Sequence, residues 1–217
     1  MTSVQIKICG VTNIRDARAC IELGASMIGL NFYQQSPRYI EPKAALQIVD
    51  AIPRGAQAVG VFVDGIADEV RSVANAAGIR CVQVHGDFSP ETCRQLAREF
   101  RVIRAFCTSA NFHPEDVGAF SDCDVLLDAP HAELRGGTGL TCDWSAARAT
   151  LPFARFLILS GGLNARNVGY AIAAVPPHAV DVCSGVESTP GVKDHRAIEK
   201  FITAARTAER LRVGPAA

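Results

Sequence analysis

Two residue types that can move protons each close a short apolar run of this 217-residue chain. Cys9 ends a run that begins at Val4 and is followed by Gly10, so a thiol stands where a strand would turn into a loop. Asp128 ends a second run, 124–128. A thiolate can act as a base and a carboxyl group as an acid, so the pair predicts proton-transfer chemistry. The simpler interpretations are an inert buried thiol and an aspartate that caps a loop.

Glycine turns that could hold a phosphate follow two other apolar runs and also the run that ends at Asp128. The segments 160–162 and 184–185 offer bare backbone N–H groups, which bind anions. A third cluster, 136–139, lies in a loop of about 14 residues after Asp128 and is either a lid, a further phosphate contact or a surface loop. Tight turns alone also select glycine. The two segments follow the seventh and eighth apolar runs, and in barrels the loops after strands 7 and 8 commonly form a phosphate site, so together they favour a phosphorylated ligand.

Further polar residues fall near the ends of the same runs. Arg38 could bind a substrate carboxylate through two hydrogen bonds, or be an ordinary surface arginine. Lys7 shares a strand face with Cys9, because the two are two residues apart, and could favour the thiolate. The alternative for Lys7 is a buried ion pair with Asp124. The same two-residue spacing pairs Gln83 with His85 and Asp181 with Cys183.

The elements that must position these residues repeat along the whole chain. Alternating β-branched runs and amphipathic segments predict strands at 4–9, 27–32, 58–63, 81–85, 101–107, 124–128, 156–160 and 179–183, with about eight helices. Consecutive strand ends are 21 to 32 residues apart, which is one strand–helix unit per step. Eight such units predict an α/β fold of the (β/α)8 TIM-barrel class, with a doubly wound open sheet as the alternative. In a barrel the functional groups lie at the carboxyl ends of the strands.

Helix boundaries follow from capping residues. Helices are expected to begin after Thr12 or Asn13, and after Ser89, Asp143 and Asn164. Gly24 and Gly78 mark helix ends. The segment 109–120 contains few apolar repeats and predicts only one or two turns.

Composition narrows the functional classes. The 22 basic and 22 acidic residues balance without clustering, so we expect no nucleic-acid partner. No apolar run is long enough to span a membrane and no leader is evident, which predicts a cytoplasmic protein. The eight cysteines form no CxxC pair, so reduced thiols and no metal site are expected. We expect one domain over residues 1–217, with 207–217 as a flexible tail.

Eight short strings occur in register along residues 4 to about 205, and together they resemble the phosphoribosylanthranilate isomerase family. The strings are KICGVT at 7–12, SPRYI at 36–40, VFV at 61–63, VQVHG at 82–86, LLD at 126–128, GGTG at 136–139, SGGL at 160–163 and VDVCSGVE at 180–187. The resemblance implies a (β/α)8 barrel without a cofactor. It implies an Amadori rearrangement of N-(5-phosphoribosyl)anthranilate to 1-(2-carboxyphenylamino)-1-deoxyribulose 5-phosphate in tryptophan biosynthesis.

The resemblance also implies a role for each matching position. Asp128 matches the general acid that opens the sugar ring, Cys9 the general base at C2, and Arg38 the residue that holds the anthranilate carboxylate. Asp181 matches an aspartate that faces the substrate. Cys183 departs from the family pattern, because relatives more often have a serine there. The positions expected to bind phosphate are Gly137, Thr138, Gly139, Gly161, Gly162, Ser184 and Gly185, and those expected to make other substrate contacts are Lys7, Gln83, His85 and Asp181.

Two other functions remain open at this point. A histidine-pathway isomerase performs the same chemistry on a substrate with two phosphates, but resembles a twofold-repeated barrel with an aspartate as the base on its first strand. A non-catalytic barrel that senses a phosphorylated metabolite would keep the glycine turns but would need neither Cys9 nor Asp128. The partner is a phosphorylated small molecule in each case, a substrate for the two enzymes and a bound metabolite for the sensor, and the sequence allows a monomer or a homodimer.

Overall fold

Eight parallel strands pair in sequence order and close into a barrel in the computed structural model, which describes residues 3–129 and 142–213. The closing pair is β1 with β8, where Lys7 lies opposite Asp181. The (β/α)8 prediction is therefore confirmed and the open sheet is excluded. The strands are β1 Gln5–Ile8, β2 Met27–Asn31, β3 Gln57–Val63, β4 Cys81–His85, β5 Arg101–Cys107, β6 Asp124–Asp128, β7 Leu157–Leu159 and β8 Ala179–Val182.

Seven α-helices surround the barrel within the described ranges. They are α1 Ile14–Glu22, α2 Pro42–Ala51, α3 Ala67–Ala76, α4 Pro90–Ala97, α5 Trp144–Thr150, α6 Val168–Ala174 and α7 His195–Val213. A 3-10 helix, Pro114–Phe120, takes the place of a helix between β5 and β6. The sequence predicted only one or two turns there, and this is confirmed.

Helix starts agree with three of the four predicted caps. The side chains of Asn13, Ser89 and Asp143 each accept a hydrogen bond from a backbone N–H of the following turn. The prediction at Asn164 was wrong, because its Oδ1 accepts from the backbone N–H of Arg166, 2.9 Å away, and closes a turn. That turn delays α6 until Val168. The glycines at both predicted stops, 24 and 78, have positive φ angles of 110° and 67°.

The last helix extends into the segment predicted as a tail. Helix α7 continues to Val213, so residues 207–213 are helical. Glu209 Oε1 accepts a hydrogen bond of 2.6 Å from the backbone N–H of Val4, and Arg206 donates to the Val4 carbonyl. These bonds anchor the helix to the start of β1.

The apolar core has two layers. The larger layer lies between the strands and the helices and includes fully buried Phe201 of α7. The smaller layer fills the barrel interior with residues of strands β2 to β8, among them Met27, Val59, Ile103 and Leu126. Burial of each such side chain contributes roughly 1.5–3 kcal/mol. This packed interior leaves the carboxyl ends of the strands as the place for a site.

A short hairpin that the sequence did not predict follows β8. Its strands, β9 Glu187–Thr189 and β10 Val192–Lys193, are antiparallel. The carbonyl of Gly191 in its turn accepts a 2.7 Å hydrogen bond from Thr12 Oγ1. The hairpin is thus fastened to the loop that follows β1. No helix in residues 3–129 and 142–213 is both long and apolar enough to cross a membrane.

Candidate active site

A cavity of about 360 Å³ opens at the carboxyl ends of the strands. Its volume is within the range of small-molecule sites. The structure brings nearly all of the predicted site residues in the described ranges to this cavity. Those that line it are Cys9, Arg38, Gln83, His85, Asp128, Gly161, Gly162, Asp181 and Ser184.

Cys9 stands directly after β1 and is partly exposed to the cavity. Its backbone N–H donates a 2.8 Å hydrogen bond to the carbonyl of Val182, which fixes it against β8. Its Sγ lies over Gly29 of β2, where a Cβ atom would come within 2.7 Å of Cys9 Sγ and 3.2 Å of Lys7 Nζ. Glycine at position 29 therefore makes room for both functional groups.

The environment of Cys9 favours the thiolate. A hydrogen-bonding interaction with the Cys183 thiol lowers the pKa of Cys9 to about 7, against burial, which raises it. The positive charges of Lys7 and Lys193 lower this pKa further, and the negative charge of Asp181 opposes them. The same thiol contact raises the pKa of Cys183 well above its usual range. Both shifts favour Cys9 over Cys183 as the thiolate of the pair.

Lys7 lies fully buried under Cys9, where its Nζ donates to Asp181 Oδ1 at 2.9 Å. Burial alone would lower the pKa of Lys7, but the charges of Asp181 and Cys9 raise it instead. Asp181 Oδ2 also accepts a 3.2 Å hydrogen bond from Ser160 Oγ. The buried ion pair given as the alternative for Lys7 is therefore present, but its partner is Asp181 and not Asp124. Asp124 is the first residue of β6 and lies at the opposite end of the barrel, where it binds two arginines, Arg101 at 2.6 Å and Arg155 at 3.1 Å.

Asp128 ends β6, two strands away from the β1–β8 pair. Its Oδ1 accepts a 2.8 Å hydrogen bond from the backbone N–H of Ala129. This is the loop-capping contact that the simpler interpretation expected. The side chain is half-buried and also lines the cavity, so the carboxyl group that makes the capping contact also faces the site.

The glycine turns after β7 and β8 lie against each other. Gly161 and Gly162 have positive φ angles of 83° and 63°. A Cβ atom on Gly185 would lie 2.1 Å from the Leu163 carbonyl oxygen, and one on Gly161 would lie 2.4 Å from the Ala129 nitrogen. In the part of the chain that the structure describes, the backbone N–H groups of residues 161, 162, 184 and 185 have no protein acceptor. The predicted positions Gly137, Thr138 and Gly139 lie outside the described residues.

Gln83 and His85 extend from β4 into the same cavity. Gln83 Nε2 lies 2.5 Å from His85 Nε2. Gln83 Oε1 is buried and has no hydrogen-bond partner in the described ranges. A buried acceptor without a partner costs free energy unless a ligand or water satisfies it. Gln83 Oε1 is therefore suited to accept a hydrogen bond from a substrate.

Arg38 lies in the loop after β2 and already has a carboxylate partner. Its Nε and Nη2 donate to both oxygens of Glu187 at 2.7 to 3.1 Å. These hydrogen bonds, against the effect of burial, raise the pKa of Arg38. Lys193 binds the same carboxylate at 2.8 Å. Neither Glu187 nor Lys193 was predicted to belong to the site. The Pro190-Gly191 dipeptide between them is a turn signal that could have predicted the hairpin joining them.

Within residues 3–129 and 142–213, no group of three histidine, cysteine, aspartate or glutamate side chains is arranged to hold a metal ion. The chemistry of the described site consists of a thiol of lowered pKa, a half-buried carboxyl group and backbone donors.

Comparison with known proteins identifies the barrel. The family model described as N-(5'-phosphoribosyl)anthranilate (PRA) isomerase matches residues 6–204. The chain belongs to this isomerase family. The N-(5'-phosphoribosyl)anthranilate isomerase of Geobacter sp. strain M21 is 42% identical over 205 residues, which cover 93% of this chain and 98% of the relative.

Solved structures of the isomerase family have the same barrel. One is a monomeric form generated from the dimeric phosphoribosylanthranilate isomerase of Thermotoga maritima, with a TM-score of 0.85, 39% identity and coverage of 94% of this chain and 99% of that one. Another phosphoribosyl anthranilate isomerase was solved with reduced 1-(o-carboxyphenylamino)-1-deoxyribulose 5-phosphate, with a TM-score of 0.84, 39% identity and the same coverage. The chain is therefore an isomerase of tryptophan biosynthesis, and the match favours this function over both alternatives.

Proposed function

We propose that this isomerase uses Cys9 as its general base and Asp128 as its general acid in the Amadori rearrangement of N-(5'-phosphoribosyl)anthranilate. The observation that carries the proposal is the cavity at the strand ends. It is lined by a thiol of lowered pKa, a carboxyl group on a different strand and two glycine turns whose N–H groups have no acceptor among the described residues. A binding protein would need the glycine turns, whereas the acid and the base serve only a reaction.

The first step requires a proton on the furanose ring oxygen. Asp128 in its protonated form donates this proton, the bond between C1 and the ring oxygen breaks, and the nitrogen lone pair forms a Schiff base with C1. The thiolate of Cys9 then takes the proton from C2, and the electrons of that C–H bond neutralise the iminium nitrogen to give an enolamine. The C2 hydroxyl then loses its proton and C1 gains one, which leaves a ketone at C2. Loss of the proton from Cys9 and reprotonation of Asp128 restore the starting state, so atoms and electrons balance without a cofactor.

Binding of the two charged ends of the substrate orients it for these steps. We assign the phosphate to the backbone N–H groups of residues 161, 162, 184 and 185, since such unpaired donors bind anions. The positively charged guanidinium group of Arg38 binds the anthranilate carboxylate. Residues 137–139 are proposed as a further phosphate contact on the sequence pattern alone.

The remaining polar residues of the cavity act on the middle of the substrate. Gln83 Oε1 is proposed to accept a hydrogen bond from a ribose hydroxyl, because it is a buried acceptor without a partner among the described residues. His85 fixes the amide of Gln83. Lys7 and Asp181 form an ion pair that keeps a positive charge close to the thiolate of Cys9.

The test is direct turnover of purified protein. Phosphoribosylanthranilate carries an anthranilate-type fluorescence, and its enzyme-dependent loss at neutral pH without added cofactor or metal is the expected result. Tight binding of the reduced product analogue without any turnover would instead support a non-catalytic barrel.

We further propose a cytoplasmic location and a monomeric or homodimeric state. All eight cysteines are free, as is typical of a reducing compartment. The dimeric state of the Thermotoga relative favours the homodimer. Light scattering coupled to size-exclusion chromatography distinguishes the two states.

A further inference from the structure

A chain of buried charges links the proposed carboxylate site to the backbone of the proposed base. Arg38 donates to both carboxylate oxygens of Glu187. Lys193 Nζ donates to Glu187 Oε1 at 2.8 Å and to the carbonyl oxygen of Cys9 at 2.5 Å. The side chain of Lys193 is 0% exposed and that of Glu187 is 4% exposed, so these charges lie outside bulk water.

The charge of Lys193 decides whether Arg38 can still attract an anion. Arg38 and Glu187 alone form a pair with no net charge, and such a pair has little attraction for a further carboxylate. Lys193 adds a second positive charge to the same carboxylate, which leaves the three-residue group with a net charge of +1. In a partly buried site such a charge is weakly screened and acts strongly on a bound anion.

The geometry also orients the guanidinium of Arg38. Glu187 occupies Nε and Nη2, whereas Nη1 has no acceptor in residues 3–129 and 142–213. Gly10 packs against this side chain so closely that a Cβ there would lie 2.6 Å from Arg38 Cδ. Arg38 is thus held as a rigid donor at the cavity wall, which reduces the entropy lost when a carboxylate binds.

We propose that Lys193, acting through Glu187 and Arg38, is a positioning residue that gives this site its preference for a substrate bearing a carboxylate. The inference rests on the proposed function, in which Arg38 receives the anthranilate carboxylate. Lys193 touches neither reacting atom in this proposal. Its contact with the Cys9 carbonyl makes the position of the base depend on the same side chain.

The experiment compares two reduced product analogues that differ only in the ortho-carboxylate of the phenylamino ring. The inhibition constant of the analogue without the carboxylate, divided by that of the analogue with it, measures the carboxylate preference. In Lys193→Met this ratio is expected to fall by about 10- to 100-fold, as for the loss of one partner of a buried charge pair. Lys200→Met is the matched control, because Lys200 is exposed on α7, and it should keep the wild-type ratio. Inhibition by inorganic phosphate should be the same in both variants.

A double variant separates charge from stability. Lys193→Met with Glu187→Gln removes one charge of each sign and leaves Arg38 as the net positive charge, so it should regain much of the preference that Lys193→Met loses. It also carries the test if the single variant does not fold. An unchanged ratio in Lys193→Met, or a double variant that folds without any preference, would overturn the inference. Absence of turnover in the wild type would instead count against the proposed function.

Discussion

Cys183 interacts with Cys9 thiol to thiol across the join between the first and last strands of the barrel. This contact is the largest cause of the lowered pKa of Cys9. Since β1 and β8 are separated by the whole chain, the contact exists only because the barrel closes. It connects the proposed base to a residue at which the chain departs from the family pattern.

The first prediction concerns the pH dependence of the reaction. Only the thiolate of Cys9 can abstract a proton, so the part of the kcat/KM profile that depends on Cys9 should rise with pH through about 7 in the wild type. In Cys183→Ala the donor is lost and the rise should move to higher pH. For each unit by which the pKa of Cys9 rises, the fraction present as thiolate falls about tenfold at pH values below that pKa.

Cys183→Ser is the control for this prediction, because its hydroxyl group can still donate to the thiolate. It should keep a profile closer to that of the wild type. The pH dependence of Cys9 alkylation by iodoacetamide, followed by peptide mass mapping, measures the same ionisation without substrate. Identical profiles for wild type and Cys183→Ala would show that Cys183 does not tune the base.

The second prediction removes the base itself. Cys9→Ser should reduce kcat by about 10² to 10⁴, because the hydroxyl group is far less acidic than the thiol and provides almost no anion at neutral pH. Binding of the reduced product analogue should remain. Exchange of the C2 proton with solvent deuterium at the wild-type rate in this variant would mean that another group is the base.

The third prediction removes the proposed acid. Asp128→Asn keeps an acceptor for the Ala129 N–H, but its amide has no acidic proton that it could transfer to the ring oxygen. We expect a loss of about 10² to 10⁴ in kcat with nearly unchanged binding of the product analogue. Stopped-flow fluorescence and calorimetry measure the two quantities. A variant that turns over at close to the normal rate would exclude Asp128 as the acid.

The fourth prediction tests the glycine turns. A methyl group at position 185 would lie 2.1 Å from the Leu163 carbonyl oxygen, so Gly185→Ala must separate the two turns. We expect kcat/KM to fall by about 10- to 100-fold, mainly through KM, with weaker inhibition by inorganic phosphate. Gly55→Ala is the matched control, because no atom lies within 4 Å of the added methyl. Equal kinetics for the two variants would argue against a phosphate site at these turns.

The fifth prediction concerns stability. The buried carboxylate of Asp16 accepts hydrogen bonds from Asn13 and from the backbone of Lys193, and lies 2.8 Å from His195 Nε2. Burial alone would raise the pKa of Asp16, but its hydrogen bonds, led by that with His195, lower it. Asp16→Asn should therefore reduce the free energy of unfolding at pH 7 by about 1–3 kcal/mol.

The pH dependence of this effect has a defined sign. A carboxyl group whose pKa is lowered on folding stabilises above its unfolded pKa of about 3.9, and that contribution disappears as the pH falls through the folded pKa. The difference between wild type and Asp16→Asn should thus shrink under acid conditions. Urea unfolding at several pH values measures it, with exposed Asp50→Asn as the control. A constant difference at all pH values would contradict the assignment.

Much of the fold followed from local patterns. Strand runs, helix caps and glycine stops depend on neighbouring residues, and their regular spacing predicted eight units and a closed barrel. The start of α6 was missed because Asn164 can cap either a helix or a turn, and local sequence does not distinguish these. The end of α7 was missed because its anchor to Val4 connects opposite ends of the chain.

The sequence alone determined which residues meet at the mouth of the barrel, because parallel strands bring their carboxyl ends to one side. It did not determine the partners of those residues. Lys7 binds Asp181 rather than Asp124, Cys183 interacts with Cys9, and Lys193 reaches Glu187 and the Cys9 carbonyl. Strand register, barrel closure and the folding back of the hairpin set these contacts. Each joins residues far apart in the chain, and so only the tertiary structure decided how the charges and the thiols are paired.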